Sequence, residues 1–107
     1  MRQITPQQLK AWLDDRSRPA PSMVDVRETW EWDICALPGA VHIPMNSIPS
    51  RQTELDPDRE TVLICHHGGR SMQVAAYLER NGFESVYNLS GGVNAWAREV
   101  DAAMPTY

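Results

Sequence analysis

A short segment past the middle of the chain combines residue types suited to nucleophilic sulfur chemistry. A run of apolar, strand-forming residues leads into Cys65. A helical pattern begins at Ser71. The six residues that follow Cys65 are basic, small or hydroxylated: His66, His67, Gly68, Gly69, Arg70 and Ser71. Strand, tight loop and helix in this order turn backbone N–H groups and a helix N-terminus toward the sulfur. Because these groups and nearby cations favour a thiolate, we predict that Cys65 is an anionic nucleophile.

Size and composition indicate one globular domain. The chain has 107 residues and a mass of 12.1 kDa, which is enough for a single hydrophobic core but not for two. A hydrophobic content of 42% with 22% charged residues argues against disorder. We therefore predict one domain over residues 1–107, with its core over about residues 3–98 and a loosely held tail at 101–107.

Charge and cysteine content limit the expected partners and compartment. The net charge of −4 gives no basic face for nucleic acid, and no segment approaches the roughly 20 apolar residues of a membrane span. The basic side chains beside Cys65 are an exception, because they form a local positive spot that suits a small anion. With two cysteines and no signal-peptide pattern, we expect a cytoplasmic protein that uses a free thiol. We also expect a monomer or a weak dimer.

Strand-like and helix-like segments alternate along the chain with short connections. The first helix has a clear start, because Thr5, Pro6 and Gln8 match an N-cap, a first-turn proline and a capping-box residue. The alternation predicts an α/β fold with a central, mostly parallel, five-stranded sheet and helices on both faces. In such sheets ligands bind at the carboxyl ends of the strands, where Cys65 lies. Strands are predicted at residues 2–4, 23–26, 40–43, 61–65 and 85–89, helices at 6–15, 29–34, 71–81 and from about 93, and an irregular segment or single helical turn at 46–55.

Four short motifs lie in order between residues 24 and 96. They read VDVRE at 24–28, LPGAVHIP at 37–44, CHHGGRS at 65–71, and NLSGGV at 88–93 followed by Ala95 and Trp96. In this order they resemble the motifs of the single-domain rhodaneses, a family of sulfurtransferases. One departure is the sequence CALPGA at 35–40, where the family often has GHIPGA. This departure lies away from the cysteine loop.

The resemblance implies a rhodanese-like three-layer domain and an enzyme that transfers sulfane sulfur. Cys65 would take up the sulfur as a persulfide and pass it to a thiophilic acceptor. The donor would be thiosulfate, which the basic loop side chains favour, or a persulfide on a sulfur-relay protein. The other residues of the 65–71 loop would bind substrate, Asp25 and Arg27 would support the loop, and neither a metal nor a cofactor is implied. Arg70 would either brace loop carbonyls or pair with the anionic donor, and the sequence leaves both roles open.

Two other functions fit a cysteine loop less well. Phosphatases and arsenate reductases of related folds also use a cysteine loop that ends in arginine, but they place one more residue between the two. Only four residues lie between Cys65 and Arg70, and the tighter ring suits a single sulfur atom better than a tetrahedral oxyanion. A non-catalytic binding module usually lacks the cysteine or the loop glycines, and this chain has both.

The remaining cysteine and the tryptophans are assigned structural roles. Cys35 lies in a predicted helical stretch with apolar neighbours, and a resolving or metal-binding thiol is the alternative. A zinc site formed by Cys65, His66, His67 and His42 is disfavoured, because adjacent histidines cannot readily turn both rings to one metal. The tryptophans are expected to be core or half-buried residues, with Trp30 or Trp32 lining the site as the alternative: Trp12, Trp30, Trp32 and Trp96.

Overall fold

The computed structural model describes residues 1–107 and contains one five-stranded sheet. Its strand order is β1-β5-β4-β2-β3, and every neighbouring pair of strands is parallel. The predicted α/β class with a mostly parallel sheet is therefore confirmed. The strands are β1 (Arg2–Ile4), β2 (Ser22–Asp25), β3 (Val41–His42), β4 (Thr61–Ile64) and β5 (Val86–Leu89).

The chain also contains five α-helices and two short 3₁₀ turns, of which α5 follows the last strand. The first helix begins as predicted, because the Thr5 hydroxyl accepts from the Gln8 N–H at 3.1 Å and the Gln8 side chain accepts from the Thr5 N–H at 2.9 Å. No helix combines the length and the hydropathy that a bilayer crossing requires. The helices are α1 (Pro6–Asp14), α2 (Thr29–Ile34), α3 (Ile48–Arg51), α4 (Gly69–Arg80) and α5 (Gly92–Glu99), and the 3₁₀ turns are Met45–Ser47 and Gln52–Glu54.

Helix α4 begins two residues earlier than the sequence predicted, at Gly69 instead of Ser71. The reason is Gly68, whose φ of +107° turns the chain in a left-handed conformation that only glycine adopts easily. The loop therefore ends at Gly68, and Arg70 already lies in the first turn of the helix. Pro49 likewise lies in the first turn of α3, where a proline is tolerated, so residues 46–55 are more regular than expected.

Alternating side chains of the central strand β4 supply two separate cores. Val62 and Ile64 face the side covered by α1 and α5, where Trp12 and Trp96 are buried. Leu63 and then Cys65 face the other side, covered by α3 and α4. All four β4 residues are completely buried, which explains why this strand reads as a continuous apolar run. The same alternation directs the Cys65 side chain toward the start of α4.

The C-terminal segment packs against the domain, so the expectation of a loosely held tail at 101–107 is wrong. The Asp101 N–H donates to the Trp96 carbonyl at 3.0 Å. Met104 is 8% exposed and belongs to the core on the α1 and α5 side. Tyr107 makes two side-chain hydrogen bonds to residues more than 70 positions earlier in the chain. This short, proline-containing segment has no helix or strand pattern and gave no local sign of these contacts.

We predict that Met104→Ala destabilises the domain measurably, because it removes a buried side chain that the core cannot refill completely. The expected loss is about 2 kcal/mol in the free energy of unfolding, determined by urea denaturation. Thr106→Ala, at an exposed position in the same segment, is the matched control and should change that value little. Equal stability of both variants and the parent would show that the segment is not docked in solution.

Candidate active site

The Cys65 sulfur lies at the carboxyl end of β4 and accepts hydrogen bonds from the loop that follows. The Gly68 N–H donates to Sγ at 3.0 Å, and the Ser71 hydroxyl lies 3.2 Å from the same atom. Cys65 is only 1% exposed. Both donors can stabilise negative charge on sulfur, in a place with little competing water.

Asn88, on β5, holds both the loop and the Ser71 hydroxyl in place. Its side-chain N–H₂ donates to the Gly68 carbonyl at 3.1 Å, and its side-chain oxygen accepts from the Ser71 hydroxyl. The Ser71 hydroxyl has one proton and two acceptors within reach, Asn88 Oδ1 and Cys65 Sγ. The proton can therefore turn to the sulfur when Cys65 carries negative charge, and return to Asn88 when it does not.

Helix α5 holds the carbonyl groups of the loop away from the sulfur. Val93 N–H donates to the Cys65 carbonyl at 2.9 Å, and Asn94 N–H donates to the His66 carbonyl at 3.1 Å. The C=O and N–H groups of a trans peptide point in opposite directions, so the next N–H groups are directed away from α5. This approach requires Gly92, where a Cβ atom would lie 2.2 Å from the Cys65 carbonyl oxygen.

Arg70 is paired with Glu31 of α2. Its two terminal nitrogens donate to the two carboxylate oxygens at 2.6 and 2.8 Å. Glu31 is 3% exposed, and the hydrogen bonds from Arg70 lower its pKa to about 2 despite the opposing effect of burial. The same pairing raises the pKa of Arg70 above its ordinary value. The sequence left two roles open for Arg70, bracing loop carbonyls or pairing with an anionic donor. The structure shows neither, because the partner of Arg70 is a carboxylate of the protein.

Asp25 and Arg27 form a completely buried ion pair beneath this contact. Arg27 donates to both Asp25 oxygens, with a shortest distance of 2.6 Å, and both side chains have no exposed surface. Burial alone would lower the pKa of Arg27, but hydrogen bonds with Asp25 and Tyr107 raise it above its ordinary value. None of these side-chain hydrogen bonds goes to residues 65–71. Any support for the loop is therefore indirect.

Tyr107 links the buried ion pair to the Arg70 contact. Its hydroxyl accepts from Arg27 at 3.0 Å and donates to Glu31 at 2.7 Å. Burial raises the pKa of Tyr107 to about 12, so the hydroxyl keeps its proton at neutral pH. The chain of contacts runs from Arg27 through Tyr107 and Glu31 to Arg70 at the start of α4.

His66 and Trp30 contact the same tyrosine, and His67 packs against His66 at 3.9 Å. The His66 ring stacks on the Tyr107 ring at 4.0 Å with an interplanar angle of 11°, and burial followed by the neighbouring His67 lowers the pKa of His66. Trp30 is 60% exposed and meets the Tyr107 ring edge-on at 5.6 Å. The expected core or half-buried position is correct for Trp12, Trp32 and Trp96. It is wrong for Trp30, which lies beside the loop because its ring contacts Tyr107, a residue distant in sequence.

The sequence analysis missed three residues of this arrangement: Glu31, Asn88 and Tyr107. Glu31 could have been suspected, since it is a carboxylate in the first turn of the helix that follows VDVRE. Asn88 was noted only as part of a motif, although a polar residue in the last buried strand is a signal in itself. Tyr107 had no signal. Cys35 is buried beside Arg27, which donates to its carbonyl at 2.6 Å, as its structural assignment predicted.

Comparison with known proteins agrees with this fold. The family model of the rhodanese-like domain matches residues 5–99. A sulfurtransferase of Allochromatium vinosum is 43% identical over 76 residues, which cover 71% of this chain and 71% of that protein. A chloroplastic rhodanese-like/PpiC domain-containing protein 12 of Arabidopsis thaliana is 43% identical over 89 residues, or 79% of this chain. The matched region is only 30% of the Arabidopsis protein.

A solved structure gives the same architecture. The crystal structure of a rhodanese-like domain protein from Staphylococcus aureus superposes with a TM-score of 0.84 at 34% identity, and the match covers 100% of this chain and 99% of the other. A parallel five-stranded sheet flanked by helices places the chain in the α/β class. The chain belongs to the rhodanese-like domain family. Relatives that are named sulfurtransferases support a sulfurtransferase type of function.

We predict that Gly92→Ala disrupts the loop, because the new Cβ would overlap the Cys65 carbonyl and the residue has a φ of +58°. The expected cost is about 3 kcal/mol in the free energy of unfolding, measured by urea denaturation. Gly69→Ala is the matched control, since nothing lies within 4 Å of its added Cβ and its φ is not positive. Its stability should stay within about 1 kcal/mol of the parent. Similar losses at both positions would contradict the close approach of α5.

We also predict that Glu31 makes the stability depend on pH under acidic conditions. Its folded-state pKa of about 2 lies below its ordinary value of 4.5, so its contribution is complete above pH 4.5 and is lost as the pH falls toward 2. Glu31→Gln should cost about 3 kcal/mol at pH 7, and the difference from the parent should shrink as the pH falls through this range. The measurement is urea denaturation at a series of pH values.

Glu54→Gln is the control for this effect, because Glu54 is an exposed carboxylate that pairs with Arg51 on the surface. Water screens such a pair, so this variant should follow the pH profile of the parent closely. A constant difference between Glu31→Gln and the parent from pH 7 to pH 2 would mean that the Arg70 pair does not shift the titration of Glu31.

Proposed function

We propose that this protein is a sulfurtransferase that carries sulfane sulfur as a persulfide on Cys65. The observation that supports it most directly is the setting of the Cys65 sulfur, which accepts from Gly68 and lies within reach of the Ser71 hydroxyl. Before the transfer, the Cys65 sulfur carries the negative charge. After it, the outer sulfur of the Cys65 persulfide carries the charge. The Gly68 N–H is already directed at the sulfur, and the Ser71 hydroxyl needs only a rotation of its proton; donors placed in this way are effective at stabilising such charge.

The reaction has two displacement steps at sulfur. In the first, the Cys65 thiolate attacks the outer sulfur of thiosulfate or of a donor persulfide, and the donor's S–S bond breaks. Sulfite or a thiolate leaves with the electron pair, and Cys65 keeps the sulfur as a persulfide. In the second step, a thiophilic acceptor attacks the outer sulfur, and the Cys65 thiolate is regenerated. Neither a metal nor a cofactor takes part in this scheme.

The alternative of an oxyanion enzyme is disfavoured by the loop and by Arg70. Four residues separate Cys65 from Arg70, which makes a smaller ring of amides than a phosphate needs. In addition, the Arg70 guanidinium is turned to Glu31, so it is not free to clamp two oxygens of a phosphate. The retained cysteine and its two donors favour an enzyme over a binding module.

The proposal includes partners and a compartment. The donor is a small sulfur-containing anion such as thiosulfate, or a protein of a sulfur relay. Neither nucleic acid nor membrane takes part, which agrees with the net charge of −4. The free thiols of Cys35 and Cys65 fit the reducing cytoplasm, and the protein acts as a monomer or weak dimer.

We expect Cys65 to gain one sulfur atom when the protein is incubated with excess donor, either thiosulfate or a low-molecular-weight persulfide. The intact mass should rise by roughly 32 Da, and cyanide should reverse the change by taking the outer sulfur. Cys35→Ser is the matched control and should behave as the parent, whereas Cys65→Ser should gain nothing.

Sulfur found on Cys35, or no addition from any donor, would contradict the assignment. A second readout tests the phosphatase alternative in the same preparation. Hydrolysis of p-nitrophenyl phosphate should stay at background, and a hydrolysis rate that disappears in Cys65→Ser would favour the oxyanion reaction instead.

A further inference from the structure

Asn88 is a buried amide in the last strand whose side chain has three hydrogen-bond partners. Its N–H₂ group donates to the Gly68 carbonyl at 3.1 Å and to the Gln3 side-chain oxygen at 3.0 Å. Its own oxygen accepts from the Ser71 hydroxyl. Because a carbonyl can only accept, the contact with Gly68 fixes which end of the amide faces Ser71. Asn88 is 1% exposed and Ser71 is completely buried, so bulk water does not compete for these bonds.

Two of the three partners would keep a hydrogen bond without Asn88. The Gly68 carbonyl also accepts from the Met72 N–H at 3.2 Å. The Gln3 oxygen also accepts from the Ser90 hydroxyl at 3.1 Å. Removal of the amide would therefore change the surroundings of its third partner, the serine hydroxyl, more than those of the other two.

The Ser71 proton has a different best acceptor in each state of Cys65. A thiol is a weak acceptor, so the proton stays with the Asn88 oxygen. A thiolate 3.2 Å away attracts the proton, and the Asn88 oxygen then loses its only donor. In a persulfide the charge is on the outer sulfur and Sγ is neutral again, so the proton can return to the amide. The Asn88 oxygen therefore has a donor in the thiol and in the loaded protein, but not in the thiolate.

We propose that Asn88 is a positioning residue that favours sulfur-loaded Cys65 over the empty thiolate, by competing with the sulfur for the Ser71 proton. The amide contacts neither the sulfur nor a substrate, and it acts through the serine hydroxyl. The outer sulfur has to extend toward solvent to meet an acceptor, whereas Ser71 is completely buried, so the hydroxyl stays beside Sγ. This inference rests on the proposed function and adds to it a control of the balance between empty and loaded protein.

The step that this competition affects is the uptake of sulfur by the thiolate. With thiosulfate as donor, the Cys65 thiolate attacks the outer sulfur, the new bond to Sγ forms and the S–S bond of thiosulfate breaks. Sulfite leaves with the electron pair, so one singly charged and one doubly charged anion are present on each side. No proton enters or leaves, because the Ser71 proton only changes its acceptor. Sulfite can take the sulfur back, so the ratio of loaded to empty protein reports the balance.

Asn88→Leu tests the competition, because leucine has the same branched shape as asparagine and no acceptor. The first measurement is the ultraviolet absorbance of the thiolate at a series of pH values, read as the difference from the same protein with Cys65→Ser. Where thiol and thiolate are both present, their ratio should shift about tenfold toward the thiolate, the effect of one hydrogen bond to a charged group. Asn88→Val, with a residue that suits strands, is the second variant if leucine prevents folding.

The second measurement is the loaded-to-empty ratio of Cys65 in a fixed mixture of sodium thiosulfate and sodium sulfite, determined from intact mass. The pH is one at which the first measurement shows the empty protein to be a thiolate in parent and variant. Asn88→Leu should lower this ratio about tenfold, because it stabilises the empty thiolate and not the persulfide. A purely structural role would not change the two ratios by the same factor.

Ser71→Ala removes the proton for which the sulfur and the amide compete. In this background Asn88→Leu should change neither ratio, because the proton is what links the amide to the charge on the sulfur. Gln3→Leu is the matched control, since it removes a different hydrogen bond of the same amide and leaves the Ser71 contact in place. Its thiolate-to-thiol ratio should equal that of the parent.

The charged and titratable groups around the sulfur are the same in all these variants, so their effects cancel in each comparison. Neither the amide nor the hydroxyl carries a charge, and the substitutions leave this set intact. Its members come from the loop, from the first turn of α4, from α2 and from the buried ion pair: His66, His67, Arg70, Glu31, Asp25 and Arg27.

Three results would overturn the inference. No shift with Asn88→Leu, or a shift toward the thiol, would show that the amide does not compete with the sulfur. A shift of the same size in the Ser71→Ala background would show that Asn88 acts through Gly68 instead. A raised thiolate fraction with an unchanged loaded-to-empty ratio would show that the persulfide gains as much as the thiolate.

Failure of the proposed function is a separate result, because the thiolate measurement requires no sulfur transfer. If the parent takes up no sulfur from any donor, the proposed function is wrong, and the preference for the loaded state is wrong with it. The thiolate-to-thiol ratios then still decide whether Asn88 competes for the Ser71 proton.

Discussion

The buried guanidinium of Arg27 is the interaction on which the geometry of the site depends. It has no exposed surface, and it binds Asp25 at the end of β2, the Cys35 carbonyl at the end of α2, and the Tyr107 hydroxyl. A charge in this position is tolerated only because the N–H groups of the guanidinium all have acceptors. An uncompensated buried charge would cost several kcal/mol. The ends of β2 and α2 and the distant C-terminal residue Tyr107 are thereby fixed relative to one another.

The fixed segments in turn set the position of the cysteine loop. Tyr107 and α2 orient Glu31, and Glu31 holds Arg70 at the beginning of α4. On the other side, the first turn of α5 binds the carbonyls of Cys65 and His66. The loop is therefore held at both ends by groups outside it. Its own residues remain available to donate to sulfur, which is the arrangement that a sulfur nucleophile requires.

Features that depend on neighbouring residues were predictable from the sequence. The Thr5 capping box and the placement of Cys65 between a strand and a helix are set by residues a few positions apart. The two-sided core is visible in the apolar run of β4, because a buried parallel strand needs apolar side chains on both faces. The start of α4 was misplaced by two residues, since the sequence does not show which of the adjacent glycines, Gly68 or Gly69, adopts the left-handed conformation that ends the loop.

Contacts between distant residues were not predictable in the same way. Glu31 and Arg70 are 39 positions apart, and Tyr107 and Glu31 are 76 positions apart. Nothing in either local sequence specifies the partner, since an arginine at a helix start can pair with any carboxylate that the fold brings near. The sequence predicted a positive spot at the loop, but it could not show that Arg70 is paired with a carboxylate of α2. The charge of the loop is set by acceptors supplied from elsewhere in the chain.

The burial of Cys65 bears directly on the proposed persulfide. With 1% of the residue exposed, the empty thiol is shielded from bulky electrophiles and from other thiols in solution. In the proposed cycle, the added S–S bond of about 2.05 Å would place the outer sulfur up to that distance beyond Sγ. An acceptor at the surface would then reach the outer sulfur without having to reach Sγ itself.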